Sequence, residues 1–226
     1  MAGIGDGYGS ECHLLRFLGR HRSLLNARIA AAIGATSVEW LDVPFRPEKR
    51  WPDDEWKAVD FLGDDPVVRQ AWRSWWPTSG NSLNWDAVGR VRVAGVDEWL
   101  LIEAKANEQE LASSCAAAEH GGRPLIERSL SEVMQSLGVD PARDWLSGYY
   151  QFCNRLAALH FLQEQNRPAR LMFIYFTGDR GRPGRTCPSD STGWAKALQA
   201  QADHVGLPDG HRLQDRIHKL FLPIAL

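Results

Sequence analysis

No stretch of this 226-residue chain comes near the ~18 uncharged apolar residues that a membrane span needs, so none is expected. The opening residues, MAGIGDGYGSE, lack the basic start and apolar core of a secretory signal, which points to the cytoplasm. The cysteines at 12, 115, 153 and 187 are far apart and form no CxxC pair, so a structural zinc site is not expected and free thiols in a reducing compartment are. The histidines show no HxxxH or HExxH spacing and are given no metal role. Neither GxSxG, nor a Walker A loop, nor GxGxxG is present, so the sequence offers no support for an unrelated hydrolase or nucleotide-binding site. There is also little excess charge of either sign: the net charge is −2. The distribution is uneven, however. Between Cys12 and Val38 lie Arg16, Arg20, Arg22 and Arg28 with no acid, and residues 39–66 are acid-rich. Local basic surfaces can bind phosphates while the overall charge stays near zero, and they can equally be solvated faces.

What the chain does have is one chemically unusual stretch, Asn84 to Asn107. From Trp99 to Lys105 the residues alternate: Leu100, Ile102 and Ala104 fall on one face of a strand, and Trp99, Leu101, Glu103 and Lys105 on the other. An acid and a base therefore stand side by side at the end of a hydrophobic strand, where charge is costly unless paired or metal-bound. Residues 85–93 and 96–105 read as a hairpin around Ala94-Gly95. With Val93 facing Val96, the register sets Asp86 opposite Glu103, about 5 Å apart at the backbone. Two like charges that close are unfavourable, and a divalent cation between them resolves the conflict. A longer loop centred on Val96-Asp97 shifts that register.

Around this stretch, Ser10 reads as the N-cap of one long amphipathic helix ending near Gly34, with Leu14, Leu15, Leu18, Leu25, Ile29 and Ile33 on its apolar face. Glu11 aligns with Leu15 and Leu18. It is either a first-turn acid with no other task or an inward carboxylate near the Asp86/Glu103 pair. Residues 37–45 suggest a short strand or extended segment. Residues 46–80, with Trp51, Trp56, Trp72, Trp75 and Trp76, read as an insertion or lid carrying short helices at 53–61 and 65–75. Asn107 is a helix cap or a partner of the site. A helix is expected over 124–137, ending at Gly138, and another restarting at Asp140-Pro141 and running on or breaking at Gly148. Residues 170–176, RLMFIYF, suit a strand buried on both faces. An arginine-bearing loop, a helix over 193–205 and a strand over 218–226 complete the chain as a single domain.

This order, helix, hairpin strands carrying Asp and then Glu-x-Lys, helix, buried strand, resembles the PD-(D/E)XK nuclease superfamily. The matching residues are Asn84-Trp85-Asp86, sixteen intervening residues, and Glu103-Ala104-Lys105. Trp85 stands where the name has proline, a position loosely kept across the superfamily. The resemblance spans roughly residues 10–176 and implies an α/β restriction-endonuclease-like fold, an αβββαβ core with a mixed central sheet flanked by helices. It implies Mg²⁺ or Mn²⁺ held by Asp86, Glu103 and the carbonyl of Ala104, with Glu11 as a further acid from the first helix and Lys105 orienting the water or stabilising developing negative charge. The implied reaction is phosphodiester hydrolysis, with DNA as the expected substrate and a homodimer as one assembly to test. Some similar nucleases carry a glutamine and a tyrosine four apart on the next helix. Here Gln151 is followed at that spacing by Arg155, and Gln151 and Tyr150 stand as site neighbours. The competing reading is a non-catalytic member of the same fold that binds or scaffolds.

Overall fold

The computed structural model describes residues 8–41, 55–79, 83–181 and 184–225. It is a mixed α/β structure built on a curled five-stranded sheet. The strands are β1 (Ala35–Trp40), β4 (Ala87–Val93), β5 (Val96–Lys105), β6 (Ala169–Thr177) and β7 (Ile217–Pro223), in that spatial order. β4 is antiparallel to both of its neighbours, β1 and β5, and β5, β6 and β7 run parallel. A separate two-stranded ribbon pairs β2 (Trp56–Lys57) with β3 (Asn84–Trp85).

Six α-helices are present among the described residues, and they cover both faces of the sheet. On one face, α1 (Ser10–Arg20) and α2 (Arg22–Ile33) pack Leu14, Phe17, Leu25 and Ile29 against Leu100, Ile102, Met172 and Ile174. On the other lie α3 (Pro66–Trp75), α4 (Arg123–Leu137), α5 (Tyr150–Glu164) and α6 (Ser191–Val205). Their Trp72, Val133, Leu156, Leu159 and Trp194 meet Leu101, Leu171, Phe173 and Tyr175. β6 contributes alternate residues to each layer, which is why its sequence is uniformly apolar. No helix among the described residues is long and apolar enough to cross a membrane. The four cysteines are free.

Several elements differ from their sequence expectation. The first helix is two. α1 ends at Arg20, His21 leaves helical geometry at φ −124°, and the Nε–H of Arg22 donates to the Leu18 carbonyl at the break. Gly9, not Ser10, holds the N-cap position. The buried face of α1 is His13, Leu14 and Phe17, so Leu15 is 58% exposed and Glu11 is exposed as well. The expected strand over 37–45 is β1, Ala35–Trp40; positions 42–45 lie outside the described residues. The helix expected over 53–61 is instead the β2 strand and a 3₁₀ turn, Asp60–Leu62, with 53 and 54 outside the described residues. α3 forms as expected, because Asp65 accepts the Val68 N–H and Pro66 occupies the first turn. Residues 55–79 are part of the main core, since Val59, Phe61, Val68, Trp72 and Trp76 share one buried cluster with Leu130 and Leu156.

No helix starts at Asp140. Its carboxylate accepts the Ala142 N–H, and Asp144 accepts those of Leu146 and Ser147. These local bonds satisfy the backbone without helix, and α5 begins only at Tyr150. The last strand is Ile217–Pro223 rather than 218–226, and Leu226 lies outside the described residues.

Gly89 of β4 is a position where a side chain does not fit: a Cβ there would stand 2.6 Å from the Glu39 carbonyl oxygen on β1. Backbone cannot yield as a flexible side chain can. Gly89→Ala is expected to cost about 1–3 kcal/mol, read as a lower midpoint in urea denaturation with an unchanged slope.

Candidate active site

The site forms where the β4–β5 ladder runs out. The turn at Ala94-Gly95 sets Val93 against Val96 and carries the register down to Ala87 against Ile102. One step further the ladder becomes irregular: the Asp86 N–H donates at 3.2 Å to the carbonyl of Ile102, the residue already paired with Ala87, and Asp86 comes to lie beside Glu103. The sequence takes residues 85–93 as one strand, but the chain changes partners at Asp86. Trp85 pairs with Trp56 in the ribbon, and Ala87 pairs with Ile102 in the sheet. Freed from the ladder, the Asp86 carboxylate turns back and its Oδ2 accepts the Ala104 N–H at 2.6 Å. The Ala104 carbonyl points to the same side of the strand as its N–H, because both groups of one residue face the same neighbour in a ladder.

Glu103 is 1% exposed and Lys105 8%. The Lys105 ammonium donates to Glu103 Oε1 at 2.5 Å and to Gln151 Oε1 at 2.7 Å. The other oxygen, Glu103 Oε2, accepts from Arg155 Nε at 2.7 Å. Arg155 is 4% exposed, donates from Nη1 to Asn154 Oδ1 at 2.8 Å, and lies over the Trp85 ring at 5.0 Å. Such stacking suits the planar guanidinium. Asp86, Asn84, Tyr150, Gln151 and Arg155 line a cleft of about 550 Å³, with Glu103 and Lys105 lying beneath it.

The two acids respond in opposite directions. Burial, and then the negative Glu103 beside it, push Asp86 up to about 7, against a smaller pull from the Ala104 N–H, Lys105 and Arg155. Burial alone would raise Glu103 too. The charges of Arg155 and Lys105 and their hydrogen bonds outweigh it and hold Glu103 below the usual carboxylate range. On the neighbouring strand, the Tyr175 phenol is buried with no hydrogen-bond partner, and burial followed by the Glu103 charge raises its pKa.

The structure thus brings together Asp86, Glu103, Ala104 and Lys105, with Gln151 and Tyr150 beside them. It does not bring Glu11 to the pair. α1 packs on the sheet face of Leu100 and Ile102, whereas Glu103 shares the opposite face with Leu101. Asn107 is a cap, its side chain accepting the Glu110 N–H. The site residue missed in the sequence is Arg155. Its signal was there to read: residues 153–162 of α5 are buried throughout, and an arginine inside such a helix needs a buried acid.

Two carboxylates and a carbonyl are the hard oxygen donors that Mg²⁺ and Mn²⁺ prefer. Glu103 retains capacity for a cation, because a carboxylate offers about four lone-pair directions and Lys105 and Arg155 occupy one on each oxygen. The donor set therefore fits a divalent ion in kind. It is lean, however: among the described residues no group of three or more His, Cys, Asp or Glu side chains is gathered as a metal site. The charges of Lys105 and Arg155 also oppose a further cation. No protein-family model, curated protein or solved structure matches the chain.

Proposed function

We propose that this protein is a metal-dependent nuclease of the PD-(D/E)XK superfamily, with a restriction-endonuclease-like core, that hydrolyses phosphodiester bonds in DNA. The observation that carries this reading is the convergence of Asp86, Glu103, Ala104 and Lys105 at the end of one hairpin, beside an open cleft. Asp86, Glu103 and the Ala104 carbonyl would hold Mg²⁺ or Mn²⁺, which when bound lowers the pKa of water and neutralises phosphate charge. The residues supply the rest. Glu103 and Gln151 fix the Lys105 ammonium in one place, so its remaining N–H can meet an attacking water or the charge that grows on phosphate. Asp86 would serve as one of the ion's oxygen donors, and the proton that the water releases would pass to solvent, which returns one to the leaving group. As the water oxygen bonds to phosphorus, the bond to the leaving sugar oxygen breaks and that oxygen is protonated.

The test is cleavage of duplex, branched and single-stranded DNA, and of RNA, with Mg²⁺ or Mn²⁺. Activity is expected on a DNA substrate, abolished by EDTA, and lower by roughly 10²–10³ in Lys105→Ala, with circular dichroism unchanged. Folded wild-type protein that cleaves none of these under either ion would sink the proposal. The second reading is a non-catalytic binding module of this fold. It is favoured by Arg155, which together with Lys105 balances both acids without any metal. Absence of a thermal shift on titration with Mg²⁺ or Mn²⁺ would support it.

A further inference from the structure

A second hollow, of about 280 Å³, adjoins the β2–β3 ribbon through Lys57, as the cleft does through Asn84. Lys57 of β2, Arg69 and Arg73 of α3, and the Trp72 ring line it, with Asp60 as the only acid in its wall among the described residues. The three cations against one carboxylate leave an excess of two positive charges. None of the three has a carboxylate partner among the described residues, whereas Arg92, Arg123, Arg167 and Arg212 each hold one. Two donors in this wall are also buried without an acceptor, Arg69 Nε and Trp72 Nε1. A buried N–H left unpaired is costly. Arg69 and Arg73 are four apart, one turn of α3, so they share a helix face, and Lys57 reaches the same hollow from the ribbon. Cations, orphan donors and a small volume describe a receptor for a compact anion with several acceptor oxygens.

The hollow is not isolated from the proposed active site. Lys57 pairs with Asn84 across the ribbon, and Asn84 lines the cleft that holds Asp86. Pro77 lines both cavities. A polyanion lying in the cleft and passing over the ribbon meets Lys57 and Arg73 next. We infer that the Lys57–Arg69–Arg73 hollow binds a backbone phosphate of the nucleic acid, flanking the phosphate presented to Asp86. The inference rests on the nuclease reading for its choice of ligand, and the residue set defines the anion site.

The test is equilibrium binding of fluorescein-labelled DNA duplex and single strand, by anisotropy in EDTA so that nothing is cut. The pair compared is wild type and Lys57→Ala/Arg73→Ala; both side chains are exposed, so the fold is expected to survive, as a thermal melt checks. Weaker binding is expected in the double variant, by a similar factor across sequences. The slope of log affinity against log salt is expected to fall by about one or two, as for loss of one or two phosphate contacts. An unchanged affinity and slope overturns the inference. Failure of wild type to bind DNA also overturns it, and a thermal shift with inorganic phosphate alone, lost in the variant, then assigns the hollow to free phosphate. DNA binding with the expected loss of slope, but no cleavage under Mg²⁺ or Mn²⁺, upholds the inference while the nuclease reading falls.

Discussion

Arg155→Met is expected to lower the unfolding free energy of the metal-free protein by about 3–5 kcal/mol, the usual cost of breaking a buried ion pair from one side. Glu103 is among the least exposed residues of the chain, and Arg155 is one of only two cations on its carboxylate. Truncating it leaves Glu103 with Lys105 alone and removes a positive charge that restrains Asp86. With both acids ionised, as at pH 8, Asp86 and Glu103 contribute −2 and Lys105 and Arg155 contribute +2, so the site sums to zero; without Arg155 it sums to −1. The variant is therefore expected to bind Mg²⁺ more tightly than wild type and to regain part of its lost stability when Mg²⁺ is added. Guanidinium denaturation with EDTA or with Mg²⁺ reads both effects. Equal stabilisation of the two proteins by Mg²⁺ would show that Arg155 does not oppose cation binding.

Asp86→Asn removes one of the proposed ion's oxygen donors and is expected to reduce cleavage by roughly 10²–10³, and to change how the protein responds to pH. The sign follows from linkage. Asp86 holds its proton up to about pH 7 when folded and only to the ordinary carboxylate range when unfolded. Between those limits the native state binds more protons, so this group's contribution to stability is greatest at low pH and falls as pH rises toward 7. Glu103 is depressed instead, so its contribution is complete above its unfolded pKa and does not change in that window. His160, His211 and His218 are lowered chiefly by burial and act the other way, favouring the folded state as pH rises through their unfolded pKa. The comparison of wild type with Asp86→Asn cancels the histidines. In EDTA, the Tm of the variant relative to wild type is expected to rise from pH 5 to pH 8. With Mg²⁺ the wild type is expected to gain more Tm at pH 8 than at pH 5, because a cation competes with the Asp86 proton. A constant difference between the two proteins across this range would show that Asp86 ionises normally.

The part of the site set by short-range geometry was legible in the sequence. A two-residue turn fixes a hairpin register, and that register brings Asp86 to Glu103 from seventeen positions away. Alternation likewise separated Leu100 and Ile102 from Leu101 and Glu103, and the sheet buries them on opposite faces. The break between α1 and α2 was not legible. Leu14 and Leu25 are eleven apart, close to three full turns of helix, so their spacing fits one continuous helix as well as two. The expected helix at Asp140 lost to side-chain bonds from Asp140 and Asp144 that no periodicity reveals. Arg155 was visible only as a departure from a pattern, because its partner Glu103 lies 52 positions away and the parallel crossover that joins them leaves no local trace. Glu11 was placed by helical alignment with Leu15, and Leu15 itself faces solvent.

The change of partner at Asp86 gives the molecule a mechanical property. The residues on either side of Asp86 are anchored in different sheets, Trp85 in the ribbon and Ala87 in the main sheet, and Asp86 is the joint between them. The ribbon is only two pairs long, while the main sheet is clamped by helices on both faces. A tilt of the ribbon is therefore taken up at the joint, and the acid turns with it. Trp85 is also the ring on which Arg155 rests. The joint thus carries one carboxylate, and the residue before it carries the arginine that neutralises the neighbouring one.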